Sequence, residues 1–159
     1  MNKRIHLYGL LLAATLIQAV CMKHFRWFPD IMLLMVVFTG IFGGYAEGIK
    51  FGFVAGFLRG ILSVYTLPVD LFLFPLIGAV SAVLAERFYR QNPVAEMFIT
   101  AVAVFTAIVF HTSCLKIVSG NEFVGVWSAI AGSLRAVTVT IVFSPVFFHL
   151  LRGLRPQEE

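Results

Sequence analysis

Long apolar runs separated by short polar stretches occupy almost the whole chain. At about 1.5 Å of helix per residue, each run can cross a hydrocarbon layer of roughly 30 Å, the shorter ones with their flanking residues included. The pattern therefore predicts one all-α integral membrane domain, residues 1–159, with six transmembrane helices. The predicted spans are approximately residues 5–22, 28–44, 49–66, 68–85, 94–118 and 126–151.

The first apolar run begins after Asn2, Lys3 and Arg4, as the apolar core of a secretory signal does. It is about eighteen residues long, which exceeds the usual apolar core of a signal peptide, and no clean small-x-small cleavage site follows it. We therefore predict that this run stays in the protein as a spanning helix.

Composition supports the membrane assignment. Hydrophobic residues make up 60% of the chain and charged residues 13%, and the mean hydropathy is +0.94. Soluble domains are about 45 to 50% apolar and about 25% charged. The net charge of +4 does not predict nucleic-acid binding, because the basic residues are scattered between the apolar runs rather than gathered in one stretch.

The basic residues of the short connections predict the orientation. Lys and Arg accumulate on the cytoplasmic side of membrane proteins, and they favour an arrangement with the N-terminus and the C-terminus both inside. The inner side then holds Lys3, Arg4, Lys50, Arg87, Arg90, Arg152 and Arg155, and the outer side holds Lys23, Arg26 and Lys116.

Glycines recur at every fourth position between the second and third predicted spans, at Gly40, Gly44, Gly48, Gly52, Gly56 and Gly60. Within the third span, Gly52, Gly56 and Gly60 rotate by only about 80° around the helix axis, so they form one groove that another helix can approach closely. The groove accepts either a helix of the same chain or a transmembrane helix of a partner. Gly43, Gly44 and Gly48 predict the cytoplasmic turn between these two spans.

Charged side chains inside the spans are the strongest functional signal. Arg59 lies near the middle of the third predicted span and Arg135 at a similar depth in the sixth, where a charge is costly unless it is paired. Asp30 and Asp70 follow prolines at the outer starts of two helices. We expect both arginines to pair with both aspartates, with His111 nearby. This group is an internal ion network, a set of charged side chains that simply snorkel toward the interface, or an outer pocket for an anionic small molecule.

No catalytic or metal-binding pattern is present in the sequence. The four histidines fall on different segments without an HExxH spacing, and neither a GxSxG nor a Walker motif occurs. We predict no enzyme activity, no cofactor and no metal. Cys21 and Cys114 are interpreted as packing residues, with a disulfide on the outer side as the alternative.

The order of features between Phe28 and about Leu115 resembles the rod shape-determining protein MreD family. The matching motifs are hydrophobic and rich in glycine. They are Pro29-Asp30, Phe42-Gly43-Gly44, Ala46-Glu47-Gly48, the segment from Gly52 to Leu58, and the segment from Phe72 to Gly78. Many members carry an aspartate after the Gly-Phe-x-x-Gly stretch, whereas this chain has Arg59-Gly60-Ile61.

The resemblance implies a non-enzymatic partner of MreC in the bacterial cytoplasmic (inner) membrane. There it would belong to the machinery that couples MreB filaments to the synthesis of side-wall peptidoglycan by cell-wall synthases. It also implies a fold similar to the substrate-binding S components of energy-coupling-factor transporters. Two hypotheses follow: a scaffold of the cell-elongation machinery that maintains rod shape, or a small-solute (vitamin) uptake component with an outer pocket at Arg59, Arg135, Asp70 and His111.

Overall fold

The structure is a computed structural model, and it describes residues 2–24, 29–62, 67–88, 92–119 and 126–152. The described chain consists of five helices and contains no strand. The helices are α1 (Asn2–His24), α2 (Ile31–Leu62), α3 (Leu67–Arg87), α4 (Pro93–Ser119) and α5 (Val126–Leu151). The prediction of an all-α fold is therefore confirmed.

The α2 segment is a helical hairpin rather than one straight rod. Gly44 has a φ of 80° and a ψ of −177°, a backbone conformation that is not helical. Residues other than glycine rarely adopt it. Arg59 contacts Asp30, 29 positions earlier, although a straight helix would separate the two residues by about 43 Å. We call residues 31–43 the outgoing arm and residues 45–62 the return arm. The reversal falls where the sequence predicts a turn.

The outgoing arm is the central helix of the bundle. Every residue from Met32 to Phe42 is buried, which explains why this arm is apolar on all sides instead of carrying one polar face. The ring of Phe38 lies 4.8 Å from that of Phe42 in the same arm and 5.8 Å from that of Phe148 in α5. Helix α5 therefore packs directly against the outgoing arm. Leu7 and Leu11 of α1 and Leu73 and Ile77 of α3 complete the same core.

Among the residues that the structure describes, three helical stretches are long and apolar enough to cross a membrane: α2 counted over its full length, α3, and the Pro93–Cys114 part of α4. Ile5–Cys21 and Val137–Leu151 are apolar helical segments of shorter length. Large apolar side chains cover the outside of the bundle, with Phe72 74% and Leu150 71% exposed. An outer surface of this kind is typical of helices that face lipid.

The two cysteines are both free thiols, and both are partly buried. The alternative of a disulfide between Cys21 and Cys114 is therefore not realised in this structure.

Candidate functional site: a polar cluster shared by all five helices

A group of polar side chains lies where α2 and α3 begin and where the return arm ends. We call it the polar cluster, and its members come from every helix. They are Gln18 of α1, Asp30 directly before α2, Arg59 of the return arm, Asp70 of α3, His111 of α4 and Thr140 of α5.

Asp30 is the most connected member of the polar cluster. Its Oδ1 accepts the backbone N–H of Leu33 at 3.1 Å, so it caps the N-terminus of α2. The same oxygen accepts Nε2 of Gln18 at 3.0 Å, and Oε1 of Gln18 accepts the backbone N–H of Met32 at 3.2 Å. The backbone N–H of Asp30 donates to the hydroxyl of Thr140 at 3.2 Å. Asp30 thus joins α1, α2 and α5.

Arg59 lies between the two aspartates. Its Nη1 donates to Oδ2 of Asp30, and its Nε is 3.9 Å from Oδ2 of Asp70. The guanidinium carbon also lies 5.3 Å from the centre of the Phe74 ring, a cation–π distance. One arginine therefore connects the start of α2, the end of the return arm and the start of α3.

Arg59 lies in the last turn of α2 as far as the structure describes this helix, three positions before Leu62. A cation at a helix C-terminus and acids at the N-termini of α2 and α3 all complement the helix dipoles.

Asp70 is completely buried, and its side chain connects α3 to α4. Its Oδ1 lies 2.8 Å from Nε2 of His111. Its Oδ2 has no hydrogen-bond partner within the described part of the chain, although it is 3.9 Å from Nε of Arg59. Pairing with both Arg59 and His111 offsets the desolvation cost of burying this carboxylate.

The charges of the described members of the polar cluster bear on the two alternatives for its chemistry. With a neutral His111, one arginine and two aspartates give a net charge of −1, and a protonated His111 brings it to zero. Neither value favours an anionic ligand. Arg135 lies on α5, and its side chain is outside the described residues. The described contacts therefore support an internal ion network.

Gln18 and Thr140 are the members that sequence reasoning missed. Gln18 is an amide in an otherwise apolar run and is 4% exposed, and its isolation among apolar residues is a signal that could have been used. Thr140 gives no comparable signal, because threonine is common in transmembrane helices and bonds readily to its own backbone.

The glycine groove of the return arm is occupied by α3. A Cβ atom at Gly52 would lie 2.5 Å from the backbone oxygen of Phe74, and one at Gly60 would lie 2.8 Å from Cα of Leu67. Gly56 likewise faces the backbone of Asp70. Of the two occupants that the sequence left open, the structure supports a helix of the same chain, and this close packing holds Arg59 beside Asp70.

A second glycine contact lies nearer the turn. Gly40 of the outgoing arm and Gly48 of the return arm both face the backbone oxygen of Gly78 in α3. A Cβ atom added at Gly40 would lie 2.5 Å from that oxygen, and one added at Gly48 would lie 2.8 Å from it. Small residues at all three positions let three helical segments approach one another closely. The segment from Phe72 to Gly78 thus supplies the surface on which both arms of α2 pack.

The opposite end of the bundle holds a second ion pair, in which a buried acid meets a partly exposed arginine. Glu96 is 1% exposed, and its Oε1 accepts a hydrogen bond from Nη2 of Arg152 at 2.9 Å. The physical reason is that α4 begins at Pro93, so Glu96 lies in its first turn and packs against the end of α5. Glu47 and Lys50, by contrast, form a pair at 3.7 Å in which the lysine is exposed and the glutamate partly buried.

Within the described chain, no group of three or more His, Cys, Asp or Glu side chains is arranged to hold a metal ion. The described contacts of the polar cluster are those of ion pairs, a helix cap and hydrogen bonds between helices. They connect helices to one another.

Comparison with known proteins adds one positive result. No curated protein and no solved structure matches the chain. The family of the rod shape-determining protein MreD matches residues 4–154, which is nearly the whole chain. Together with the apolar helices, this match shows that the chain is a membrane protein of the MreD family of rod shape-determining proteins.

Proposed function

We propose that this protein is a non-enzymatic scaffold of the bacterial cell-elongation machinery. It binds MreC in the inner membrane and helps to maintain rod shape and side-wall peptidoglycan synthesis, with MreB and cell-wall synthases as further partners. The observation that carries the proposal is the family match over residues 4–154. Family membership supports a role in rod shape determination, and the partners are our extension of it.

The architecture is compatible with a scaffold, because the described chain is almost entirely helical bundle. Contacts with a partner must then be made by helix surfaces and short connections. Apolar side chains are available on the outside of α3 and of the return arm, where they can pack against a partner's transmembrane helix. They include Phe72, Leu76 and Val83 on α3, and Phe53, Phe57 and Ile61 on the return arm.

The proposed topology has six spans, with both termini in the cytoplasm and a fold similar to the S components. Each arm of the α2 hairpin is counted as one span. At about 1.5 Å per residue, the return arm covers roughly 27 Å and the outgoing arm roughly 20 Å, so the outgoing arm needs its flanking residues to cross. Successive helices alternate in direction, which puts the Gly44 turn at the same end of the bundle as Arg87 and Arg152. This is the end that the basic residues predict to be cytoplasmic.

The uptake hypothesis gains no support. An anionic solute would require a cationic pocket, whereas the described residues of the polar cluster carry a net charge of zero or −1. The family match likewise points to shape determination.

Purification from the native membrane tests the proposal. The tagged chain is isolated in mild detergent from its own host and the bound proteins are identified by mass spectrometry. We expect MreC, a bitopic protein, to be enriched at least about tenfold over its recovery with an unrelated multi-pass protein that carries the same tag. Recovery of a bound vitamin-sized compound without MreC would contradict the scaffold and favour uptake.

A further inference from the structure

Helix α4 packs firmly against the bundle along one part of its length and loosely along the next. In residues 105–114, every side chain is either exposed or only partly buried. We call residues 93–104 the base of α4 and residues 105–114 the latch segment. The buried residues of the described part of α4 all lie in the base, and they are Glu96, Ile99, Thr100, Ala103 and Val104.

The latch segment meets the bundle along one narrow face. Ala107 and Ile108 pack against the core and are partly buried, and His111 lies about one turn further along the same face. Phe105, by contrast, is 62% exposed. Helical regions with few buried apolar contacts separate from the rest of a protein at low cost in free energy. The latch segment is therefore better suited than the base to move away from its neighbours.

Two features place a hinge where the base meets the latch segment. The hydroxyl of Thr106 donates to the backbone oxygen of Val102 at 2.8 Å, and a bond of this kind to the preceding turn often bends a helix. Thr106 also borders a cavity of about 10 Å³ between α3 and α4, next to Ala103 and Ile77. Closely packed helices leave few such voids, so α4 has room to tilt at this level.

One described polar contact ties the latch segment to another helix. Nε2 of His111 lies 2.8 Å from Oδ1 of Asp70. An ionised carboxylate only accepts hydrogen bonds, so the ring donates, and a charged acceptor makes the bond stronger than one between neutral groups. Asp70 itself is held in place, because its backbone meets Gly56 in the glycine groove of the return arm. A movement of the latch segment must therefore stretch this contact.

We propose that the latch segment swings away from α3 about Thr106 and that His111 is the latch that holds it closed over Asp70. In the closed form Asp70 is completely buried. Opening withdraws the imidazole ring from Oδ1 and uncovers the carboxylate beside Arg59, so the latch controls access to the polar cluster. Ten helical residues measure roughly 15 Å, and a tilt of about 20° moves the far end by roughly 5 Å.

Double electron–electron resonance between two nitroxide labels measures this movement in lipid nanodiscs. The native thiols are removed by Cys21→Ala and Cys114→Ala. One label is attached through Ile17→Cys, an exposed position beside Gln18, and the other through Ser113→Cys, an exposed position of the latch segment. This pair reports on the end of the bundle that holds the polar cluster.

A second pair of labels reports on the base. It uses Ile5→Cys in α1 and Val94→Cys in the first turn of α4, which are 64% and 69% exposed. With the wild-type His111, we expect a wider distance distribution for the pair at positions 17 and 113 than for the pair at positions 5 and 94. Equal widths would contradict a hinge between the base and the latch segment.

Replacing the latch residue tests the role of its hydrogen bond. Loss of one hydrogen bond to a charged group corresponds to at least about tenfold in an equilibrium constant. We expect His111→Leu to raise the ratio of open to closed molecules by this factor at positions 17 and 113, and to leave the distances at positions 5 and 94 unchanged. His149→Leu, at an exposed histidine near the end of α5, is the matched control and should change neither pair.

Two results with the variants would overturn the proposal. One is an unchanged distribution at positions 17 and 113 in His111→Leu, since the contact with Asp70 would then hold nothing closed. The other is an equal change at both pairs of positions, which would mean that α4 detaches as a whole. If His111→Leu does not fold, the comparison of widths in the protein with its native His111 still decides.

Discussion

Single residues decide how the charges of this bundle are accommodated. Arg59, Asp30 and Asp70 could be identified from the sequence, because an ionised side chain in or beside an apolar run needs a partner. The structure brings these three together with His111. Their partner Thr140, and the pair formed by Glu96 and Arg152, could not be predicted in the same way. Those contacts depend on how the helices are rotated about their axes, which the nearly uniform apolarity of the runs does not specify.

Replacing Arg59 tests whether the polar cluster holds the bundle together. Arg59→Leu leaves Asp30 and the buried Asp70 without their shared cation, and breaking a buried ion pair costs about 3 to 5 kcal/mol. We expect a lower midpoint in a detergent unfolding titration followed by circular dichroism. The control is Arg87→Leu, an exposed arginine at the end of α3, which should change the midpoint little. Equal effects of the two substitutions would refute a specific role of the polar cluster.

Replacing Gly52 tests the close approach of the return arm to α3. In Gly52→Ala the new methyl group overlaps the backbone of Phe74 and Pro75, and forced overpacking costs about 1 to 3 kcal/mol. Gly9→Ala is the matched control, because a Cβ atom there meets no atom within 4 Å and alanine is the better helix former by about 0.5 to 1 kcal/mol. We expect unfolding titrations to show Gly52→Ala destabilised and Gly9→Ala unchanged or slightly stabilised. The opposite order would exclude this packing.

At the scale of elements, the α2 hairpin is the feature on which the polar cluster depends. The turn could be predicted from the glycines near Gly44, because few other residues adopt the backbone that a sharp reversal requires. The exact start of the return arm could not be predicted, since uninterrupted apolar sequence gives no marker for where a helix begins or ends. The position of α3 in the glycine groove also needed the structure, because a groove of small residues accepts any helix of suitable shape.

Replacing Gly44 tests the hairpin itself. Alanine at this position has to adopt a φ of 80° with an extended ψ, a region that only glycine occupies without strain, and the cost is about 1 to 3 kcal/mol. We expect Gly44→Ala to destabilise the protein although a methyl group there has no neighbour within 4 Å. The measurement is the same unfolding titration, with Gly9→Ala as the reference for open space. An unchanged midpoint would mean that the chain does not reverse at Gly44.

At the scale of the whole molecule, composition and the order of glycine motifs predict the membrane environment and the family. Both could be predicted because 60% hydrophobic residues exclude most soluble folds, and because the matching motifs occur in the same order over more than half of the chain. The contact surface for MreC could not be predicted, since apolar side chains cover several faces of the bundle and lipid satisfies each of them equally well.

Cell width after depletion tests the proposed scaffold role most directly. The chain is depleted in its own host and supplied again from a second copy, while MreC levels and cell shape are followed by immunoblotting and microscopy. We expect rod-shaped cells to widen and become round on depletion, and to return to rods with the wild-type copy. Cells that keep their width and shape after the protein has disappeared from the membrane would contradict a role in cell elongation.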